Sequence, residues 1–429
     1  MTLYPQLDRA AIERDQISKL RVLLAELIPG NPFYCSKLQS AGIDSEISNL
    51  YDFLEGLPLT SKKELVDDQR RTPPYGSNLT YPLERYTRFS QTSATSGTPM
   101  GWLDAPESWQ WMLGNWRRIY HSAGVSRGDR LFFAFSFAPF LGFWTAFEAA
   151  VQMGCLCIPG GGLSSASRLK LIREHRVTVL LCTPTYALRL AQVASEEKMD
   201  LKQGEVKKII VAGEPGGSVP SLRARIERLW PGAAVVDHHG MTETGPVSYG
   251  CPVRPDVLHV MESAYIPEVL DPSSGRRVPP GEKGELILTS LGRTGSPLLR
   301  YRTGDLVEAA PEQPCQCGTY ELALQGGILG RTDDMIIVRG VNIYPSAVDE
   351  ILHQFEEVAE YRVEINTTQV LPELKIQIEP SLQVKDLEVL IRRIESSLHK
   401  AFALRIPVQS APVGSLPRFE MKAVRWVRS

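Results

Sequence analysis

The sequence predicts an α/β fold: a large N-terminal domain of mainly parallel sheets flanked by helices, with a β-rich subdomain, followed by a small α+β C-terminal domain. Three observations predict it. From about residue 130, short apolar runs alternate with helical sequence, the pattern of strands buried on both faces of a parallel sheet. After Gly250 the texture shifts to strands and turns. Beyond Arg331 about 100 residues mix strand and helix, enough for a small separate unit. At 429 residues the chain exceeds the size at which one core stops growing. The expected division is 1–329, with the β-rich part at about 250–329, and 330–429.

Taken in order, 8–28 places Ile12, Ile17, Leu20, Leu23, Leu24 and Leu27 near helical spacing among charges, an amphipathic helix packed on a larger body. Proline and glycine breaks follow. Leu131 to Phe135 reads as a buried strand, 143–153 as a helix, 155–159 as a strand and 164–175 as a helix; 177–182, 208–213 and 234–237 are three more strands. Ligands of such a sheet gather at the carboxyl ends of its strands, and each end here runs into Gly, Pro, Ser or Thr. Strands are expected in the β-rich part at 266–270, 284–289 and 306–309. The C-terminal unit should hold strands at 335–338, 361–365 and 374–378 and helices at 345–354 and 385–402.

Composition narrows the function. A hydrophobic fraction of 43% and a charged fraction of 22% describe an ordinary globular protein. A formal net charge of -2 offers no basic field, which argues against nucleic acid as a partner. No stretch reaches the roughly 18 apolar residues of a membrane span. The first residues carry no basic patch followed by an apolar run, so a cytoplasmic location is expected. Seven cysteines, an odd number without even spacing, make a disulfide framework a poor reading.

Two polar, glycine-rich knots near the carboxyl end are the most informative feature: Tyr301-Arg-Thr-Gly-Asp305 and Gly330-Arg-Thr-Asp-Asp-Met-Ile-Ile-Val-Arg-Gly340. Apolar segments flank each, so Asp305, Arg331 and Asp333 are expected at strand ends. The Asp305 carboxylate can accept two hydrogen bonds from vicinal hydroxyls, as a ribose requires. Alone, Gly-Asp reads equally as turn chemistry. Upstream, Thr92-Ser-Ala-Thr-Ser-Gly-Thr98 is a loop whose backbone amides can cradle phosphates, without the Gly-Lys-Ser/Thr ending of a Walker loop. Gly240-Met-Thr-Glu-Thr-Gly245 follows a strand, and Lys422 stands near the end.

In this order the four motifs resemble the adenylate-forming (acyl-CoA synthetase-like) superfamily, and within it the phenylacetate-CoA ligase-like group of aryl-acid ligases. The resemblance covers nearly the whole chain. It implies ATP-dependent activation of an aromatic carboxylic acid to an acyl-adenylate with release of pyrophosphate, then transfer to CoA with release of AMP; ATP, Mg²⁺ and CoA are the implied cofactors. Two alternatives stay open: loading of the acid onto a carrier-protein thiol or an amine, and a non-catalytic nucleotide-binding homologue. A homodimer is compatible with either.

By this resemblance Lys422, Thr242 and Glu243 are catalytic: the lysine enters from the small domain, Thr242 meets the α-phosphate and Glu243 holds Mg²⁺. Thr95, Ser96, Gly97, Thr98, Gly213, Glu214, Pro215, Asp237, His238, Thr242, Asp305 and Arg331 form the implied nucleotide set. An acid pocket is expected from Phe135, Phe137, Phe140, Ala212, Gly213, His239, Gly240 and Met241, with the aromatic segment favouring a flat ring. Phenylalanines on a buried strand are core more often than pocket, so the same residues also read as core. Asp333 is the implied hinge of a mobile small domain. The chain departs from the family twice. Pro99-Met-Gly-Trp102 stands where a lysine usually closes the phosphate loop, and Met421 precedes Lys422 where glycine is commoner. Weaker hold on the outer phosphates is the expected consequence.

Cys315-Gln-Cys317-Gly318 is a close thiol pair, and with Cys251 and His259 it gives Cys₃His, the ligand set of a closed tetrahedral zinc site. A subset of the aryl-CoA ligases looks like this. Free thiols are the other reading.

Overall fold

The computed structural model describes residues 8–92, 99–137, 139–142, 144–311, 314–338, 341–366, 373–419 and 423–428. Thr95, Ser96, Gly97, Thr98 and Lys422 lie outside the described residues, as does Phe143.

The centre is a five-stranded parallel sheet in the order Leu156–Pro159, Arg130–Phe133, Val179–Cys182, Lys208–Val211, Ala234–Asp237. Parallel neighbours need crossover helices, and these cover both faces. Leu131, Phe133, Val179, Leu181 and Ile210 point one way, into a core shared with the helix Pro106–Ser122. Phe132, Leu180, Cys182, Ile209 and Val211 point the other way, onto Pro184–Glu196 and Pro220–Leu229. This period of two is the pleat itself. Helix starts are marked in the sequence: Thr183 accepts from the Tyr186 amide and Ser164 from Ser167, each satisfying an orphan N–H.

Beyond Gly240 the chain forms antiparallel sheets. One pairs Tyr265–Leu270, Lys283–Ser290, Tyr301–Glu308 and Gly330–Arg331; another pairs Ser248–Gly250, Val257–Val260 and Ala323–Gln325. The strand Tyr301–Glu308 is longer than the sequence suggested and absorbs the first polar knot. Asp305 therefore lies within a strand, opposite Arg331 in the ladder, and not at a strand end. Gly304 makes this feasible: its φ is +76°, and a Cβ there would come within 2.5 Å of the Arg331 guanidinium.

From Ile336 onward a separate hydrophobic core gathers Ile343, Val348, Val363, Ile376, Ile394 and Leu398. A four-stranded sheet in the order Val408–Ser410, Glu373–Pro380, Val358–Asn366, Trp426–Arg428 carries it, with the helices Pro345–His353 and Leu387–Phe402.

The first helix, Arg9–Gly30, is capped by Asp8 and buries Ile12, Leu20, Leu23, Leu24 and Leu27 as expected. Gln16, and not Ile17, completes the buried face, because its amide reaches the Glu262 carboxylate and the Tyr265 carbonyl. No helix among the described residues is long and apolar enough to cross a membrane.

Candidate active site

Where the parallel strand Ala234–Asp237 ends, three consecutive side chains divide their work. Asp237 accepts the Ser218 hydroxyl at 2.6 Å and the His238 amide at 3.0 Å, and burial pushes its carboxyl up to about 6. His238 packs 4.5 Å from the Trp116 ring, with Nδ1 2.8 Å from the Ser248 carbonyl oxygen. Burial pushes this imidazole down to about 3, so the neutral ring donates from Nδ1 to that carbonyl. The His238 side chain is thus committed to the core; the residue before it fills a buried niche and the residue after it turns to the antiparallel sheet.

His239 makes that connection. Its Nε2 lies 2.9 Å from Asp305 Oδ2, while Asp305 Oδ1 lies 3.3 Å from Arg331 Nη1. Arg331 extends the chain of charge to Asp333, with Nε at 2.8 Å and Nη2 at 3.1 Å from its two oxygens. Burial works against the Arg331 charge, but Asp333 and Asp305 outweigh it and raise its pKa. The two knots of the sequence are therefore one cluster, held by strand pairing and joined to the end of the parallel sheet.

The turn that carries Thr242 and Glu243 is fixed by a residue the sequence did not single out. Arg293, fully buried, grips Asp104 with Nε and Nη2, both at 2.6 Å, and its Nη1 donates to the carbonyl oxygens of Thr242 at 2.6 Å and Glu243 at 2.7 Å. Such a buried fork orients the backbone it grips, since releasing either partner leaves charge stranded. No local pattern announces a pair 189 residues apart.

Lys62 is the second missed residue. Its Nζ lies 3.0 Å from Glu243 Oε1. It opens the helix Lys62–Arg71 behind a capping box formed by Ser61 and Glu64. Thr60, two residues earlier, pairs in parallel with Tyr301, its amide donating to Arg300 and its carbonyl accepting from Arg302, each at 2.9 Å. Lys62 is thus tied to the strand that bears Asp305, and brings a cation to Glu243.

Phe135 and Phe137 are half-buried and part of an aromatic cluster. Their rings lie 5.1 Å apart, with Phe135 6.0 Å from Phe133 and Phe137 4.7 Å from Trp144 and 5.5 Å from Phe147. Phe140 is half-buried three residues on. Ala212 is buried and Gly213 turns with a φ of +95°, while Met241 packs with Trp102 and Tyr301. Gly240 could not carry a side chain, because a Cβ would meet the Gly245 carbonyl oxygen at 2.7 Å. Glu214 accepts the Thr185 amide at 2.8 Å and the Ala423 amide at 3.0 Å, which brings the residue after Lys422 in the chain to the loop that begins at Gly213.

The four sulfur and nitrogen donors also converge. One ligand atom from each of Cys251, His259, Cys315 and Cys317 lies within 4.8 Å of the others. Cys251 Sγ to Cys315 Sγ is 3.7 Å, and Cys317 Sγ to His259 Nε2 is 3.5 Å. With zinc–sulfur bonds of about 2.3 Å and zinc–nitrogen bonds of about 2.0 Å, a tetrahedron has edges of about 3.8 and 3.5 Å. The set fits zinc.

Residues 90–293 match the family described as AMP-binding enzyme, and 340–428 match the AMP-binding enzyme C-terminal domain. The chain belongs to the AMP-binding enzymes. Within them it falls in the phenylacetate-CoA ligase-like group of adenylate-forming ligases: it is 29% identical to the phenylacetate-coenzyme A ligase of Thermus thermophilus, over all of this chain and 99% of that one. Among solved structures, 2-hydroxyisobutyryl-CoA ligase in its postadenylation state with 2-HIB-AMP aligns over 99% of this chain and 91% of its own, at 28% identity and a TM-score of 0.93. The same ligase with 2-HIB-AMP and CoA in its thioesterification state covers the same shares at 29% identity, with a TM-score of 0.74. This AMP-binding enzyme follows the first arrangement far more closely than the second.

Proposed function

We propose that this AMP-binding enzyme, an acyl-CoA ligase by family, takes an aromatic carboxylic acid as its substrate. The carrying observation is the junction of the His239–Asp305–Arg331 cluster with the Thr242–Glu243 turn braced by Arg293. A ribose held by Asp305 puts the α-phosphate toward Thr242, and the half-buried rings of Phe135 and Phe137 give a flat acid a stacking wall.

In the first step a carboxylate oxygen of the acid attacks the α-phosphorus of ATP and the bond to the bridging oxygen breaks, so pyrophosphate leaves and the acyl-adenylate remains. In the second the CoA sulfur attacks the acyl carbon, AMP leaves and the thiol proton passes to solvent. The protein's part in the first step is to hold two anions in line and to offset the charge that builds up. Thr242 takes an α-phosphate oxygen, Lys62 faces the outer phosphates, and Lys422 enters from the small domain beside the attacking carboxylate. Glu243 supplies the hard oxygen that would hold Mg²⁺, whose contribution is charge neutralisation on the phosphates. The segment Thr95, Ser96, Gly97 and Thr98 keeps its proposed role as phosphate loop. Asp333, joined to Arg331 at the start of the second unit, serves as hinge, with the domain boundary at 329/330.

Cys251, His259, Cys315 and Cys317 would hold a structural zinc, which would pin the turn at 314–319 onto the sheet containing His259. Four protein ligands leave no open coordination position, so its role is stability.

Pyrophosphate release across a panel of aryl acids and short branched hydroxy acids, with CoA, a carrier protein or an amine as acceptor, tests the substrate and the acceptor together. Aryl acids with CoA should give the highest kcat/KM. Preference for a hydroxy acid by tenfold or more would overturn the aromatic assignment.

A further inference from the structure

Glu214 stands where two parts of the chain meet. It follows the parallel strand Lys208–Val211, and its Oε1 accepts the backbone N–H of Thr185, in the first turn of the helix Pro184–Glu196. Its Oε2 accepts the backbone N–H of Ala423, 209 residues further on. Thr185 is used twice, because Arg425 Nη1 donates to its hydroxyl at 3.3 Å. Nearby, Arg225 Nη2 donates to the Val358 carbonyl at 2.9 Å and Arg228 pairs with Glu356.

The two sides of this seam are not held equally. Arg425 is anchored within the small unit: its Nε lies 2.6 Å and its Nη2 3.3 Å from the Glu360 carboxylate, and its guanidinium sits 4.8 Å from the Tyr361 ring. Those contacts travel with the unit. Glu214 instead divides its two oxygens, one to each side. A carboxylate accepting a backbone N–H makes a short, charge-assisted bond about twice as strong as a neutral one.

We infer that Glu214 is a positioning residue for adenylate formation: through the Ala423 amide it sets the register of the C-terminal segment that contains Lys422, and this bond is given up when the acyl group passes to CoA. The inference rests on the two-step reaction proposed above. Two observations carry it. Ala423 is the immediate chain neighbour of Lys422, and the amide that Glu214 accepts is the peptide link between the two. The chain also matches the postadenylation arrangement of 2-hydroxyisobutyryl-CoA ligase at 0.93 and its thioesterification arrangement at 0.74. Glu214 therefore acts on one half-reaction, which a simple adenine contact would not do.

The full-length Glu214→Gln enzyme keeps one carboxamide oxygen and turns an N–H donor against one of the two amides. Acid-dependent exchange of pyrophosphate into ATP, and thioester formation from supplied acyl-adenylate and CoA, are measured separately. The ratio of the first rate to the second should fall about tenfold, the worth of one hydrogen bond to a charged group, with the change in kcat and not in KM for ATP. Thr185→Val, which removes only the hydroxyl that Arg425 uses, should shift the ratio the same way by a smaller factor. A rise in KM for ATP with both half-reactions slowed alike would assign Glu214 to the nucleotide and overturn the inference. So would equal losses that track a lowered Tm. A wild-type enzyme without exchange on any acid would instead remove the premise, the proposed function itself.

Discussion

His239 Nε2 and Asp305 Oδ2 lie 2.9 Å apart, and this hydrogen bond joins the end of the parallel sheet to the interior of an antiparallel one. Asp305 is held from its other oxygen by Arg331, so its carboxylate is fixed at both oxygens, and the proposed ribose contact would meet it already oriented. Asp305→Asn keeps the shape and removes the charge. KM for ATP should rise by about tenfold or more, with little loss of fold, because a neutral amide accepts more weakly and turns a donor toward one of its partners. Steady-state kinetics with ATP varied checks it.

Lys62, with its Nζ 3.0 Å from Glu243 Oε1, is the cation proposed to act where the expected phosphate loop carries none. Lys62→Ala should lower kcat/KM for ATP by about ten- to a hundredfold and raise the Mg²⁺ concentration needed for half-maximal rate, while Lys62→Arg recovers part of the loss. Pyrophosphate release titrated with Mg²⁺ reads both effects. An unchanged Mg²⁺ dependence would leave Lys62 as no more than a partner of Glu243.

Arg293 is tied to Asp104 and to two backbone carbonyls with no solvent around it. Arg293→Met strands the buried Asp104 charge and should destabilise the fold by roughly 3–5 kcal/mol. Asp104→Asn combined with Arg293→Met should recover part of that stability but not the rate of adenylation, since the Thr242–Glu243 turn stays unbraced. Urea unfolding beside the exchange assay distinguishes the two effects.

Acid should weaken this protein through His238. The ring is held near 3 in the fold by burial, against about 6.5 in an unfolded chain, so the stability tied to its neutral form is complete above about pH 6.5 and is lost as the pH falls toward 3. Its neighbour Asp237 works the other way: burial raises it to about 6, and its protonation below that pH relieves the penalty. The larger shift belongs to His238. His238→Asn, whose amide N–H can replace Nδ1–H toward the Ser248 carbonyl, should flatten the fall in unfolding free energy between pH 7 and 5.

Purified enzyme should carry one zinc per chain, and stripping it should lower Tm without altering kcat. Elemental analysis and thermal unfolding before and after chelation decide this. Cys315→Ser should lose the metal.

The sheet was legible because it is written locally: alternate residues of 131–133 and 179–182 go to opposite cores, and capping residues mark the helix starts. The convergence of Cys251, His259, Cys315 and Cys317 was legible for a similar reason, a close thiol pair beside two donors in the same short β region. Lys62, Asp104 and Arg293 were not. Each acts on a partner brought near only by the packing of the antiparallel sheet on the helical layer, and an arginine or lysine in a polar stretch reads as solvated surface. The misplacement of Asp305 has a different origin. Gly304-Asp305 looks like a turn, and only strand pairing with Arg331, which tolerates the positive φ of Gly304, makes it part of a ladder.

Exchange of labelled pyrophosphate into ATP, driven by an added carboxylic acid in the absence of any thiol, tests the central claim most directly. Robust exchange with an aryl acid, lost on Lys422→Ala and needing about tenfold more ATP or above on Asp305→Asn, is the expected result. Thioester synthesis that proceeds without exchange, or exchange indifferent to both substitutions, would contradict it.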